Sequence, residues 1–320
     1  MNEQSVIVVG GAGYIGSHMV LTLKKAGIKP IIIDNLSAGN NNIVDDTTMI
    51  QCDIQNKEIL NQVFERYRPI AVMHFASYIQ VNESVKYPAK YYRNNVVATI
   101  NLLDAMILAK IKYLIFSSSA AIYGEPKYLP INESHPIAPM TPYGHSKAMV
   151  EKILADYSRA YSLYYISLRY FNAAGAHPSG FLKECHEPET HLIPLVLRAI
   201  YQDDFFLPVY GCDYPTRDGT CIRDFIHVLD ICQGHLRALQ FLYKHRQHGI
   251  YNFGSGCGYT IKEVIKTAEQ VTGKEVKLIY RDRRVGDPAI LVADPSLAER
   301  ELNWQRQYSS LSTMIRHAEW

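Results

Sequence analysis

Val6-Ile7-Val8-Val9-Gly10-Gly11-Ala12-Gly13-Tyr14-Ile15-Gly16 runs branched apolar residues straight into spaced glycines. A short continuous apolar run fits a strand buried on both faces. The glycines permit a tight turn, and an amphipathic stretch, Ser17–Ala26, follows and closes on Gly27 as a helix would. A strand, a glycine turn and a helix together present free backbone N–H groups to a pyrophosphate. The glycine string alone is weak evidence, but here a second strand, Pro30–Ile33, ends at Asp34. A carboxylate at that place binds both ribose hydroxyls and repels a 2′-phosphate, so NAD is expected rather than NADP. Asp53, after the third strand, either faces the adenine or caps the next helix.

The alternation continues outward from this unit. Met49–Cys52, Ala71–Phe75, Tyr113–Ser117 and Tyr165–Leu168 read as buried strands. Between them Lys57–Tyr67, Ala89–Leu108 and Tyr143–Tyr161 read as helices, the last opened by Pro142. Such alternation predicts an α/β fold, a doubly wound parallel Rossmann sheet with helices on both faces. After Phe171 the rhythm changes to Gly, Pro, His and Asp, with helices near Leu192–Tyr201 and Val228–Tyr243 and a strand at Ile250–Phe253. Thr260 caps a helix over Ile261–Val271, Glu263 completes the capping box and Gly273 ends it. The expected division is a dinucleotide-binding domain over 1–171 and 222–252, with a smaller mixed α/β substrate lobe over 172–221 and 253–320.

Composition narrows the class. A chain of 320 residues, 48% apolar and 20% charged, can bury a full core, and a net charge of +2 implies no affinity for nucleic acid or membrane. The basic stretches Arg281–Arg284 and Lys244–His248 read as solvated surface. Met1-Asn2-Glu3-Gln4 lacks signal-peptide character, and no run is long enough to span a bilayer, so a cytoplasmic location is expected. Cys52, Cys185, Cys212, Cys221, Cys232 and Cys257 form no Cys-x-x-Cys pair and suit reduced thiols. Cys185, His186 and His191 stand close together but at no recognised ligand spacing, and no metal is expected.

Tyr143-Gly-His-Ser-Lys147 places a phenol and an ammonium on one helix face. Moving a phenol from pKa ~10 to ~7 requires about 4 kcal/mol in favour of the anion. A cation about 4 Å away supplies roughly that at an effective dielectric of ~20. Lys147, with the positive nicotinamide ring, is thus sufficient to make Tyr143 a base. Ser117-Ser118-Ser119 ends a predicted strand at the same sheet edge. Ser119 is the candidate to bridge the reacting alcohol and the tyrosine, while Ser117 and Ser118 read as loop residues satisfying backbone.

With His74-Phe75-Ala76, these motifs resemble the extended short-chain dehydrogenase/reductases. Tyr170-Phe171-Asn172, Gly175–Gly180, Gly211–Thr216, Asp218–His227 and Arg283–Asp287 narrow the resemblance to UDP-glucose 4-epimerases over nearly the whole chain. That resemblance implies interconversion of UDP-glucose and UDP-galactose, in galactose metabolism. Tyr143 would take the 4-hydroxyl proton while hydride passes to bound NAD; the 4-keto sugar then turns over and receives hydride on its other face. It implies cofactor contacts from Gly10, Gly13, Tyr14, Ile15, Gly16, Asp34, Asn35, Asp53, Ile54, Phe75, Ala76, Asn94, Tyr143, Lys147 and Phe171, with Asn94 and Lys147 on the nicotinamide ribose.

For the UDP-sugar it implies Ser119, Asn172, His191, Leu192, Pro208, Tyr210, Arg223, Arg284, Asp287 and Leu291. The arginines suit a diphosphate, since a guanidinium gives paired charge-assisted bonds; ion pairs with Asp224 or Asp282 are the alternative. Tyr210 lies either on the uracil or in the core. A homodimer is implied through Ala89–Leu108 and Tyr143–Tyr161, whose apolar faces could equally cover the sheet.

Three positions depart from the pattern: Ile79 replaces a lysine near the pyrophosphate, His191 an asparagine beside the phosphates, and Leu291 a tyrosine limiting room at the sugar. The smaller leucine leaves UDP-N-acetylglucosamine open as a substrate, and UDP-glucuronate is a further alternative. A 4,6-dehydratase or decarboxylase needs acidic residues where Ser119-Ala120-Ala121 stand. A non-catalytic NAD or nucleotide sensor has no need of both Tyr143 and Lys147.

Overall fold

The computed structural model describes residues 4–37, 46–284 and 286–319. Met1–Glu3, and Val285 of the quoted Arg283–Asp287 motif, lie outside the described residues. The strands are β1 (Ser5–Val9), β2 (Lys29–Asp34), β3 (Thr48–Gln51), β4 (Ala71–His74), β5 (Tyr113–Ser119), β6 (Tyr164–Tyr170) and β7 (Asn172–Ala174). They continue as β8 (Leu207–Tyr210), β9 (Ile222–His227), β10 (Gly249–Phe253), β11 (Gly258–Thr260), β12 (Leu278–Arg281) and β13 (Ile290–Leu291). Seven of them form one sheet in the order β10-β6-β5-β4-β1-β2-β3, every pair parallel. These are the strands that the apolar runs predict.

Alternation along each strand divides the core into two layers. Val6, Val8, Ile32, Met73, Ile115 and Ile166 face the helices Tyr14–Lys25 and Val228–His245. Ile7, Val9, Ile31, Val72, Leu114 and Phe116 face Lys57–Tyr67, Ala98–Leu108 and Pro142–Tyr161. The period of two in the strands therefore matches two independently buried helix layers.

The remaining strands cover one end of this sheet. β11, β9 and β13 pair in that order, with β7 also on β9, and β8 pairs with β12. A third apolar cluster lies among them, built on Ile193, Val196, Phe225, Val264, Ile265 and Met314. β9 thus belongs to the smaller sheet, and the chain rejoins the large one only through Val228–His245 and β10. The capping box is present: the Thr260 hydroxyl accepts from Glu263 N, the Glu263 carboxylate accepts from Thr260 N, and Gly273 closes the helix with φ of +69°.

The helix expected over Ala89–Leu108 is present and continuous, but it is widened in its first half. A short α-turn, Pro88–Tyr91, passes into a π-helical turn, Tyr92–Val97, before the α-helix Ala98–Leu108. The Asn95 side chain sits inside this turn: its Oδ1 accepts from Tyr78 N and its Nδ2 donates to Tyr78 O and Ser146 Oγ. Widened turns of this kind commonly sit at functional sites. No described helix is long and apolar enough to cross a membrane.

Candidate active site

A cleft of about 800 Å³ runs along the carboxyl ends of the large sheet, between it and the smaller lobe. This is where open α/β sheets bind ligands. Every cofactor and substrate residue named from the sequence lines it, from Gly10 to Leu291.

At one end lies the glycine loop. Gly10 has φ of +79°, and a Cβ there would come within 2.5 Å of Ala76 N. A Cβ at Gly16 would meet Gly10 O at 2.0 Å, so the helix can pack against the turn only with glycine. Among the described residues no side chain caps the helix Tyr14–Lys25, and no acid stands in its first turn. Its first amides are thus left to an anion, as a dinucleotide pyrophosphate requires. Tyr14 locks the loop to the other lobe by donating from Oη to Gly175 O at 2.5 Å.

Asp34 accepts from Ala12 N at 2.9 Å and Leu36 N at 2.8 Å, which holds its carboxylate at the cleft wall with lone pairs to spare. Asp53 accepts from Asn35 Nδ2 and Gln55 N. Asp53 is no helix cap; Asn56 fills that place by accepting from Ile59 N.

At the centre, Tyr143 and Lys147 project from the first turns of Pro142–Tyr161. The Lys147 ammonium donates to Ser117 O at 2.8 Å and stands 5.9 Å from the Tyr143 ring centre. Burial pushes the Tyr143 phenol up, with the Ser119 hydroxyl the opposing influence, and pulls Lys147 down to about 7. Without the positive nicotinamide ring that the sequence reading pairs with Lys147, both groups are thus pushed toward their neutral forms. The ammonium is drawn to the strand carbonyl and is itself desolvated.

The serine run is also more ordered than expected. All three serines lie within β5. Ser118 does not satisfy backbone; its Oγ donates to Glu151 at 2.6 Å. Glu151 in turn receives Arg169 Nη2 at 2.6 Å and Nε at 3.0 Å. This buried pair was not found from sequence, because neither residue carries a motif.

At the far end, Arg223 donates to Asp287 and to Ile222 O, not to Asp224. Asp224 is engaged by Ser255, Gly256 and Ala293. The Arg284 guanidinium lies 3.8 Å over the Tyr210 ring, and its Nε is buried with no hydrogen-bond partner among the described residues. Tyr210 is thus a cleft residue carrying a cation, not a core aromatic, and Arg284 is no solvated surface residue. A buried, unsatisfied guanidinium N–H costs free energy until an anion meets it. Asn172 donates to Asp224 O at 2.7 Å, and Leu291, like Phe171, packs against the small cluster of Ala120, Ile122, Tyr123 and Ile131.

His191 occupies the N-cap position of the helix Leu192–Tyr201, and its side chain is turned to Glu184 instead of the helix amides. Residues missed by the sequence reading also line the cleft, among them Tyr78, Lys90, Cys221 and Phe225. Cys221 and Phe225 lie within the quoted Asp218–His227 motif, whereas Tyr78 and Lys90 stand in no recognisable spacing.

Residues 6–254 match the model of the NAD dependent epimerase/dehydratase family, and the chain belongs to that family. It is 45% identical to the UDP-glucose 4-epimerase of Halalkalibacterium halodurans over 98% of this chain and 94% of that protein. A crystal structure of UDP-glucose 4-epimerase from Brucella ovis in complex with NAD superposes with a TM-score of 0.96 at 46% identity, covering 99% of this chain and 97% of that one. The UDP-Glc/GlcNAc 4-epimerase of Campylobacter jejuni superposes with a TM-score of 0.87 at 36% identity, covering 99% and 98%.

Proposed function

We propose that this protein is a UDP-glucose 4-epimerase, interconverting UDP-glucose and UDP-galactose with NAD held in the glycine-loop end of the cleft. The observation that carries this reading is that Tyr143, Ser119 and Lys147 line one cleft together with the uncapped start of the glycine-loop helix and the unsatisfied Arg284. When bound, NAD supplies a hydride acceptor and donor at the sugar C4 and, in its oxidised form, a positive ring. Tyr143 accepts the 4-hydroxyl proton, with Ser119 linking the two oxygens, and returns it after the sugar has turned. Lys147 and Asn94 orient the nicotinamide ribose. The glycine loop, Tyr14, Asp34, Asn35, Asp53, Ile54, Phe75, Ala76 and Phe171 hold the rest of the dinucleotide.

Arg223, Arg284, Asp287, Asn172 and His191 hold the diphosphate and its surroundings, and Leu192, Pro208 and Tyr210 the uridine. Leu291, in a pocket with Ala120 and Phe171, sets the room beside the sugar. That room supports a second reading, in which UDP-N-acetylglucosamine is also accepted. Purified protein incubated with UDP-galactose and no added NAD should form UDP-glucose. Absence of product with dialysed protein, both without and with NAD, would sink the assignment.

The division into a dinucleotide domain and a substrate lobe belongs to the same proposal, with re-entry at Val228. So do a cytoplasmic role in galactose metabolism and a homodimer. The dimer is supported by exposed Val97 and Leu108 on one helix and Met149 and Tyr161 on its neighbour. Sedimentation velocity would report a single dimeric species.

A further inference from the structure

The loop that leaves β7 and returns at His191 gathers Glu184, His186, Glu189 and His191, whose ligand-type atoms all lie within 4.8 Å of one another. His186 Nδ1 stands 3.2 Å from Glu184 Oε1 and 3.8 Å from Glu189 Oε2. His191 Nδ1 contacts the same Glu184 oxygen. The two imidazoles meet edge to face, with ring centres 5.3 Å apart and planes at 86°, so both Nδ1 atoms converge without stacking. His186 Nδ1 is buried and has no hydrogen-bond partner among the described residues. The Glu184 side chain is only 5% exposed, that of Glu189 13% and that of His186 18%.

We propose that these four residues form a divalent-metal site, with zinc as its ion. Around zinc at about 2.0–2.1 Å, tetrahedral ligands lie roughly 3.3 Å apart. The separations at His186 are close to that, while the shorter His191–Glu184 contact must open to it by a small side-chain rotation. Two imidazole nitrogens with two carboxylate oxygens suit zinc better than magnesium or calcium, which prefer all-oxygen shells. Glu189 is already oriented from outside the cluster. Its Oε1 accepts from Thr190 N at 2.7 Å and His191 N at 2.8 Å, while Oε2 turns inward. Such backbone support is the usual outer shell of a metal ligand.

Four protein donors leave no open position, so the ion is structural. It would fix the loop at the cleft wall, where His186, Glu187, Thr190 and His191 lie, and with it the start of Leu192–Tyr201. The expectation of no metal rests on the lack of a recognised ligand spacing among Cys185, His186 and His191. Cys185 is exposed, and the acids on either side of the histidines complete the set instead.

The test uses the full chain, freed of metal by chelator and dialysis. Zinc titrated calorimetrically should bind at one equivalent per chain and raise the melting temperature, and cobalt should give visible bands of tetrahedral nitrogen–oxygen coordination. His186→Ala and Glu189→Gln should each weaken zinc at least the roughly 10–100-fold that even outer-shell partners contribute, while Cys185→Ser should bind as the parent does. Cobalt spectra of the unmutated chain keep the test open if a variant fails to fold. Equal zinc affinity in parent and variants, a thiolate band lost in Cys185→Ser, or no uptake of either metal would overturn the site. The last result would leave the cluster an ion-pair network alone.

Discussion

Burial raises the Tyr143 phenol and lowers the Lys147 ammonium, so each is pushed toward its neutral form before any ligand enters. The chemistry proposed for Tyr143 then depends on charge brought by the cofactor and on the short link through Ser119. Tyr143→Phe keeps the ring and removes only the proton acceptor. Turnover should fall about 100- to 10,000-fold while UDP affinity, measured by calorimetry, stays within a few-fold of the parent. Arg284 makes the opposite kind of contribution. Its guanidinium, stacked on Tyr210 with an unsatisfied Nε, should lose about 1.5–3 kcal/mol of UDP binding in Arg284→Ala. Arg284→Lys should not restore it, since an ammonium neither stacks nor forks in the same way. Equilibrium binding of UDP to the variants checks both statements.

Among the elements, Pro142–Tyr161 is held to β6 by the pair Glu151–Arg169, whose side chains are 6% and 2% exposed. Arg169 also donates to Tyr123 Oη, which in turn donates to Asn252 in β10. Removing one member leaves a buried charge without its partner. Arg169→Met should therefore cost about 3–5 kcal/mol in urea denaturation, and the double variant Glu151→Met/Arg169→Met should recover much of it. The strands of the large sheet were legible because it is covered on both faces, which forces continuous apolar runs such as Val6–Val9; β9, with Arg223, Asp224 and His227 in its run, was not. β7, β11 and β13 were not, for they have two or three residues and find their partners far away in sequence. The π-helical turn at Tyr92–Val97 was equally silent, because a widened turn changes backbone register without changing the apolar pattern. The site followed the same division. Glycines, Tyr143, Lys147 and the arginines stand in fixed spacings, whereas Glu151, Glu184 and Glu189 gain meaning only from what folds against them.

Across the whole molecule, four buried histidines make the fold sensitive to acid. Burial lowers His18 and His235 to about 4 and His74 and His227 to about 3, from an ordinary 6.5. Their folded values are depressed, so the neutral rings are accommodated fully above pH 6.5. That stability is lost as pH falls through 6.5 toward 4 and 3. Each costs about 1.4 kcal/mol per pH unit within that window. Buried Asp224 and Asp230 and half-buried Glu133 shift upward and offset part of this. Because domains are typically stable by only about 5–15 kcal/mol, the urea midpoint should drop steeply below pH 6.5, and the fold should be lost before pH ~4. Circular dichroism across a pH series of urea titrations would show it.

The small sheet over the cleft takes its strands from residues 172–174, 222–227, 258–260 and 290–291. During synthesis the large sheet can begin to assemble from the first emerging segments, with Tyr143 already on its helix. β10, its edge strand on β6, emerges only much later. The lid over Tyr143 must wait until β13 has left the ribosome and paired with β9. Contacts spanning so much chain form slowly. A nascent chain therefore passes through an interval in which the dinucleotide groove is formed but nothing yet encloses the sugar. Cofactor capture can thus precede the competence to turn over substrate.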